Sequence, residues 1–486
     1  MKFLSCNDVW RTSQKRNEGY FMSLLRIVES TPGLYYSYEI DLTLNLQRAS
    51  KLDEGRFSKP LWKQADPRFI WNRNLLEDLI EHKLDAFAIP FIQGSFQTTE
   101  FTVKKIPAKV TLISRRCNRR LGTRMWRRGA NLEGDTANFV ETEQLLEAEG
   151  CTSSFLQVRG SIPLLWQQIV DLSYKAKLEI IGHEETAKVV ERHFNDLIQR
   201  YGTIAVLDLT DNHGDEGKLS CAFAAEMEKL PLVRYVSFDF HYHCAKGKLD
   251  NLKILYNEIA EDVQTQGYFL INAGGVILEE QRGVVRANCI DCLDRTNVTQ
   301  SYLATKSLNS QLQQMGILSS NDCVSMYGDI DESFKILWAV HGDEISLEYA
   351  GTHALKGDLV RYGRQTVAGL IQDGITALSR YYLNNFQDGL RQDALDLISG
   401  RYDPTLSGPP FQLKDSLPYA PVASALLIGG LTVTSFSLNQ AIQTASSHGQ
   451  RFLSSVLWAG LVAGVMAAIK ANGRLFCSRP RLCGLF

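Results

Sequence analysis

The chain has 486 residues, with 52 basic against 54 acidic side chains and a formal net charge of −2. Such a length allows roughly two to four domains with an ample core, and the near-neutral balance excludes the broad basic field that nucleic acid demands. Ten cysteines without a repeated spacing form no disulfide framework and suit a reducing compartment. Lys2 is followed by only a few apolar residues before Asn7 and Asp8, too short a run for a secretory signal.

Residues 1–80 read as the remnant of an N-terminal subdomain, whose apolar character continues through Phe69-Ile70-Trp71-Asn72 and Ala86 to Ile92. From 81 to 400 the pattern is mixed. Arg115, Arg116, Arg119, Arg120, Arg124, Arg127 and Arg128 crowd one short stretch. They read either as a solvated basic face or as a surface that meets an anionic membrane, each nearby cation adding about 1 kcal/mol. Glu185 to Arg200 has the spacing of an amphipathic helix, with Val189, Val190, His193, Leu197 and Ile198 along one stripe. Ile204–Leu209 and Tyr235–Phe240 read as buried strands. Asp211 to Asp215 reads as a polar turn, and Asp239, His241 and His243 as structural residues at a strand end. Strands alternating with helices predict an α/β core.

Gly283–Asn288 reads as a strand, and helical spacing begins at Val298. Between them stands Cys289-Ile290-Asp291-Cys292-Leu293-Asp294-Arg295-Thr296. A cysteine, five residues, an arginine and a hydroxyl are what phosphoryl chemistry through a thiolate needs. The thiolate attacks phosphorus, the turn aims its amides at the phosphate oxygens, and a planar guanidinium grips two of them. A helix begun at the end of the turn adds its positive end, which favours phosphate and acidifies the thiol. Cys289 and Cys292 also form a Cys-x-x-Cys pair, which with His241, His243 and Cys244 could hold zinc or act as a redox dithiol. That reading leaves Asp291, Asp294, Arg295 and Thr296 without a role.

Past residue 400 the character changes. Residues 401–418 hold Pro404, Gly408, Pro409, Pro410 and Pro418 and read as a linker. Residues 419–470 then carry two uncharged stretches, Ala420–Leu438 and Phe452–Ile469, each close to the ~20 residues that cross a bilayer core. They predict a membrane hairpin, with Gly460 and Gly464 as a small-residue contact between the spans. Residues 471–486 form a basic tail. Lys470, Arg474, Arg479 and Arg481 put that tail, and hence the catalytic domain, in the cytosol.

The string Arg286-Ala287-Asn288-Cys289-Ile290-Asp291-Cys292-Leu293-Asp294-Arg295-Thr296-Asn297 resembles the signature of the Sac-domain phosphoinositide phosphatases. Gly122-Thr123-Arg124, Ala137-Asn138-Phe139-Val140-Glu141-Thr142-Glu143, Gln157-Val158-Arg159-Gly160-Ser161 and Tyr349-Ala350-Gly351-Thr352-His353 are similar to further blocks of that family, in order. The resemblance implies an α/β Cys-x5-Arg phosphatase domain. A partial Sac N-terminal subdomain would precede it, with a shortened start, and a helical membrane hairpin of the endoplasmic reticulum or Golgi type would follow. It implies hydrolysis of the ring phosphate of phosphatidylinositol monophosphates, foremost the 4-phosphate, through a cysteinyl-phosphate. The alternatives are a catalytically weak lipid-binding or tethering protein and a protein tyrosine phosphatase. Expected catalytic residues are Cys289 as nucleophile, Arg295 for the phosphate, Asp291 or Asp294 as the acid, and Thr296 beside the sulfur. Asn288, Ile290, Cys292, Leu293, Arg286, Lys356 and Arg124 are the expected substrate contacts. No metal or other cofactor is expected, because guanidinium and amides already neutralise the phosphate. Where the family usually has Trp-Ala-Asp-Asn-Gly-Asp, this chain has Trp338-Ala339-Val340-His341-Gly342-Asp343, a segment expected near the catalytic domain's surface.

Overall fold

A computed structural model of the protein describes residues 12–52, 55, 59–404, 432, 435 and 448–483. Its frame is a sheet of ten strands. The first half is an antiparallel meander of β1 (Leu34–Tyr35), β2 (Ile92–Val103), β3 (Ile106–Arg116), β4 (Val140–Ala148) and β5 (Cys151–Arg159). The two tight turns are Lys104-Lys105 and Glu149-Gly150, with positive φ at all four residues. That turn geometry matches the twist of the strands it joins. β6 (Trp166–Ile169) and β7 (Lys177–Ile180) form a separate ribbon.

After β5 the sheet turns parallel. β8 (Thr203–Asp208), β9 (Val233–Ser237) and β12 (Gly283–Asn288) extend it in the order β5-β12-β8-β9. β10 (Phe269–Ile271) and β11 (Ile277–Glu279) attach to the other stretch of β5's edge. β12 is buried at every position, as a parallel strand covered on both faces must be. Gly202 leads into β8 at φ 85°, with an added Cβ only 2.1 Å from the Arg282 carbonyl, so no other residue fits that entry.

Helices α1 (Thr12–Ser30), α2 (Leu46–Ser50), α3 (Leu61–Gln64) and α4 (Arg73–Glu81) belong to the N-terminal part. α5 (Thr186–Tyr201) and α6 (Gly214–Met227) pack on one face of the parallel strands, where Ile204, Val206 and Val284 meet Val190, Phe194, Leu197, Leu219 and Phe223. After the short α7 (Phe240–His243), α8 (Leu252–Gln266), α9 (Asp294–Gln314) and α10 (Gly328–Ala350) cover the other face. There Ala205, Leu207, Val285 and Ala287 meet Leu255, Leu303, Leu308 and Trp338. The strand residues alternate between the two cores with period two, the pattern a strand covered on both sides produces. α11 (Gly357–Tyr362), α12 (Val367–Phe386) and α13 (Asp388–Ile398) follow, then α14 (His448–Ala471) and α15 (Gly473–Phe476).

Several expectations are corrected. The arginine stretch is no exposed basic face: Arg115, Arg116, Arg120, Arg127 and Arg128 are all buried. Carboxylates distant in sequence meet them, Glu141 and Glu143 against Arg115 and Asp396 against Arg127. The strand from Tyr235 stops at Ser237, because Asp239 accepts the Tyr242 N–H and starts a helical turn. The helix after the cysteine loop begins at Asp294 rather than Val298. His341 lies fully buried in α10, not near the surface. The ten-stranded sheet itself takes its strands from residue 34 to residue 288.

The expected membrane hairpin is not seen. Its first span, 420–438, lies outside the described residues apart from 432 and 435. The second coincides with α14, a helix of 24 residues whose side chains at 448–455, 457, 458 and 461 are likewise outside the description. Among the described residues, no helix is long and apolar enough to cross a membrane.

Candidate active site

The parallel strands end side by side at Arg159, Asn288, Asp208 and Ser237. The carboxyl edge of such strands is where α/β sheets gather their ligands, and four loops converge here. The loop after β12 is the cysteine turn. It leaves the sheet at Cys289 and enters α9 at Asp294, so it stands at a helix N-terminus as the sequence predicts.

The turn is fixed from behind. Arg128 donates to the Ile290 carbonyl (3.0 Å) and Asn138 to the Asp291 carbonyl (3.0 Å). Cys292, at φ 53°, turns its sulfur inward, where it donates to the carbonyls of Gly160 (2.8 Å) and Cys289 (3.2 Å) and accepts the Cys289 N–H (3.3 Å). Among the described residues, the amides of 290, 291 and 293–295 donate to no protein acceptor, while the Cys292 amide faces the Cys289 sulfur. The others form a row of free donors at the positive end of α9.

Cys289 begins this row and is buried. Burial raises its thiol above the ordinary range and Glu216 adds to the rise, while the Arg295 charge pulls it down. Arg295 reaches over the end of β8. It donates to Glu216 through both terminal nitrogens (2.8 and 3.3 Å), to Asp211 (3.2 Å) and to the Leu209 carbonyl (3.1 Å). Asp211 also lies 2.6 Å from Nδ1 of His241. The two ends of the turn therefore influence each other, and in this conformation the guanidinium's donors are held by carboxylates.

The two candidate acids separate cleanly. Asp291 lies 2.7 Å from Arg124 and 2.5 Å from Arg128. Burial opposes its charge, but the two guanidinium groups together hold its carboxyl far below the usual range. Asp294 is raised, chiefly by burial, against the pull of Arg380 at 3.5 Å and of the Leu355 amide at 2.6 Å. An acid must carry a proton near neutral pH to give it away, so the environment favours Asp294 for that role.

Other predicted contacts face elsewhere. Arg286 lies fully buried and donates to Asn288 (2.9 Å), His193 (3.0 Å) and the Ser161 carbonyl (2.7 Å). Asn288 in turn donates to Asp208 (3.2 Å) and ties two strand ends together. Ile290, Cys292 and Leu293 point their side chains into the core, so only their backbone is presented. Thr296 sits in the first turn of α9, fully buried, with no partner for its hydroxyl among the described residues. Lys356 stands at φ 59° before α11, on a loop whose Leu355 amide reaches Asp294. Among the described residues, Arg124 reaches the loop only through Asp291.

The sequence reading missed Arg128, Asp211 and Glu216. Asp211 and Glu216 flank what looks like an ordinary polar turn, and only the neighbouring position of β8 beside β12 brings them to Arg295. No group of three or more metal-ligating side chains occurs among the described residues, and His241 and His243 do not join the cysteines.

The fold and loop define an α/β protein with a strand–turn–helix cysteine loop at the carboxyl edge of its parallel strands. Residues 1–245 match the family described as the SacI homology domain. The chain is 63% identical over 490 residues to phosphoinositide phosphatase SAC8 of Arabidopsis thaliana, covering 100% of this chain and 83% of that protein. It is 37% identical over 476 residues to phosphatidylinositol-3-phosphatase SAC1-A of Danio rerio, covering 96% of this chain and 80% of that protein. The chain belongs to the Sac-domain phosphoinositide phosphatase family.

Proposed function

We propose that the chain hydrolyses the ring phosphate of phosphatidylinositol monophosphates, foremost the 4-phosphate, through a cysteinyl-phosphate. One observation carries the reading: a turn whose amides, apart from that of Cys292, find no acceptor among the described residues runs from the thiol of Cys289 to the guanidinium of Arg295 at a helix N-terminus. The incoming phosphate takes over Arg295 donors now held by Glu216 and Asp211. Cys289 attacks phosphorus as the thiolate, the phosphorus–oxygen bond to inositol breaks, and Asp294 gives its proton to the leaving oxygen. Asp294 then takes a proton from water as the water oxygen attacks phosphorus. Sulfur leaves, inorganic phosphate is released, and Cys289 and Asp294 return to their starting states. Asp291, held ionised by Arg124 and Arg128, keeps the turn in shape.

The test is phosphate release from a panel of phosphoinositides by the purified chain in detergent, with Cys289→Ser as control. The expected result is release by the natural chain alone and ³²P trapped on Cys289 in quenched turnover. Equal release by both proteins overturns the reading.

The membrane hairpin at about 420–438 and 452–469 remains a proposal from hydropathy. Its flanking cations put catalytic domain and tail in the cytosol, and the resemblance to the family's two-span members favours the endoplasmic reticulum or Golgi membrane. Glycosylation acceptors introduced at residue 445 should be modified and acceptors at the C-terminus should not; the reverse pattern overturns it.

A further inference from the structure

Helix α12 has one face that nothing described covers. Val367, Leu370, Ile371, Ile375, Leu378 and Tyr382 are between 53 and 76% exposed. Their spacing places them on one stripe of a helix. The exposed positions between them are Ala368, Gln372, Gly374 and Ser379, so the face carries no charge at all. Single exposed leucines are ordinary, whereas six large apolar side chains on one helix mark a contact surface.

The charged side chains of α12 are both turned toward the protein. Asp373 accepts the Lys356 N–H (3.0 Å) and a Gln365 amide hydrogen (2.7 Å). Arg380 donates to Thr352 (3.0 Å), Ser346 (3.1 Å) and the His353 carbonyl (2.9 Å), and approaches Asp294 at 3.5 Å. One side of the helix thus grips the catalytic turn and the other is bare.

Three observations choose the occupant. The chain that follows α14 returns to the end of α12: Ser478 donates to the Asn385 carbonyl (2.7 Å), and the Arg479 backbone closes on Gly389. α14 presents its own exposed apolar residues, Val456 and Met466, and the segment that follows it in the chain is the one that returns to α12. Ahead of the stripe stand exposed Tyr362 and Arg364, an aromatic and a cation of the kind that settle at headgroup level. We propose that the bare face of α12 lies in the headgroup–acyl boundary of an anionic bilayer, as in-plane amphipathic helices do, and presents the catalytic turn to that surface. The inference rests on the phosphatase reading only for the identity of the lipid brought to the turn.

The experiment uses the full chain reconstituted in phosphatidylcholine–phosphatidylserine vesicles. A fluorescent amino acid is encoded at 371, at 378, or at Leu232, which is 84% exposed beyond the opposite edge of the sheet. Lipids with brominated acyl chains should cut emission about twofold at 371 and 378 and leave 232 unchanged. Emission at 371 and 378 that is unquenched overturns the proposal. If it is also blue-shifted, segment 405–447 or a second copy covers the face instead. In parallel, Ile371→Asp combined with Leu378→Asp should lower hydrolysis of vesicle-borne substrate about tenfold, with a water-soluble short-chain phosphoinositide hydrolysed within about twofold of normal. Equal loss on both substrates overturns the proposal as damage to the helix. If the natural chain releases phosphate from neither substrate, the phosphatase reading falls, and the quenching result still decides the membrane contact.

Discussion

The arginine run 115–128 and helix α12 exchange the places their compositions suggest. The run is dense in charge, yet five of its seven arginines are buried. α12 is rich in leucine and isoleucine, yet it shows its apolar face to solvent. The difference lies in partners. Arg115 stands opposite Glu141 across the β3–β4 ladder and reaches Glu143 at 2.7 Å. A buried guanidinium is tolerated where carboxylates and carbonyls use its donors. α12 has such partners on one side only, and its other side is left to the surroundings. Charge here organises the interior around the cysteine turn, and apolar surface is kept for the outside.

The largest expected effect tests the buried half of that contrast. Arg115→Met leaves Glu141 and Glu143, both buried, without that partner. It should destabilise the domain by about 3–5 kcal/mol in chemical denaturation. A loss below about 1 kcal/mol would mean that the run is solvated after all.

Much of the frame was legible from residues alone. Gly283–Asn288 appears as read, Ile204–Leu209 appears as a strand one residue shorter at its end, and of the stripe Val189, Val190, His193, Leu197 and Ile198 all but Ile198 are buried, because period and burial agree there. The setting of the cysteine turn between strand and helix was legible as well, since both flank it directly in sequence. What stayed hidden is contact between distant segments. Glu216 meets Arg295 only because β8 lies beside β12, and no local pattern announces that pairing. The burial of Arg127 likewise depends on Asp396, at the far end of the catalytic region. Composition can name a charged segment without saying which way it faces.

A smaller effect is expected inside the turn. The Thr296 hydroxyl is buried and unpaired, so Thr296→Val should leave stability nearly unchanged. If that hydroxyl assists the sulfur in leaving phosphorus, breakdown of the phosphoenzyme should slow about tenfold and the intermediate should accumulate. Unchanged turnover would reduce Thr296 to a space-filling residue.

Glu216→Gln probes how the turn is held at rest. The Cys289 thiol is raised first by burial and further by Glu216, and lowered by Arg295. Removing the carboxylate deletes a raising charge and loosens its hold on the guanidinium. The thiol should therefore ionise at lower pH. Iodoacetamide alkylation of Cys289, followed against pH, should shift its curve in the acid direction. A shift the other way would mean that Glu216 chiefly keeps Arg295 beside the sulfur.

The smallest effect marks the edge of the arginine run. Arg119 is the member that behaves as its composition suggests, with a side chain 35% exposed and partners at 3.4 Å (Asp135) and 3.7 Å (Asp196). Water competes for all three groups, so Arg119→Ala should cost less than about 1 kcal/mol. Arg115, four positions earlier, should cost several times more, although the two share one segment and one side-chain chemistry. Equal losses would show that segment and not burial governs these arginines, and the contrast with α12 would lose its physical basis.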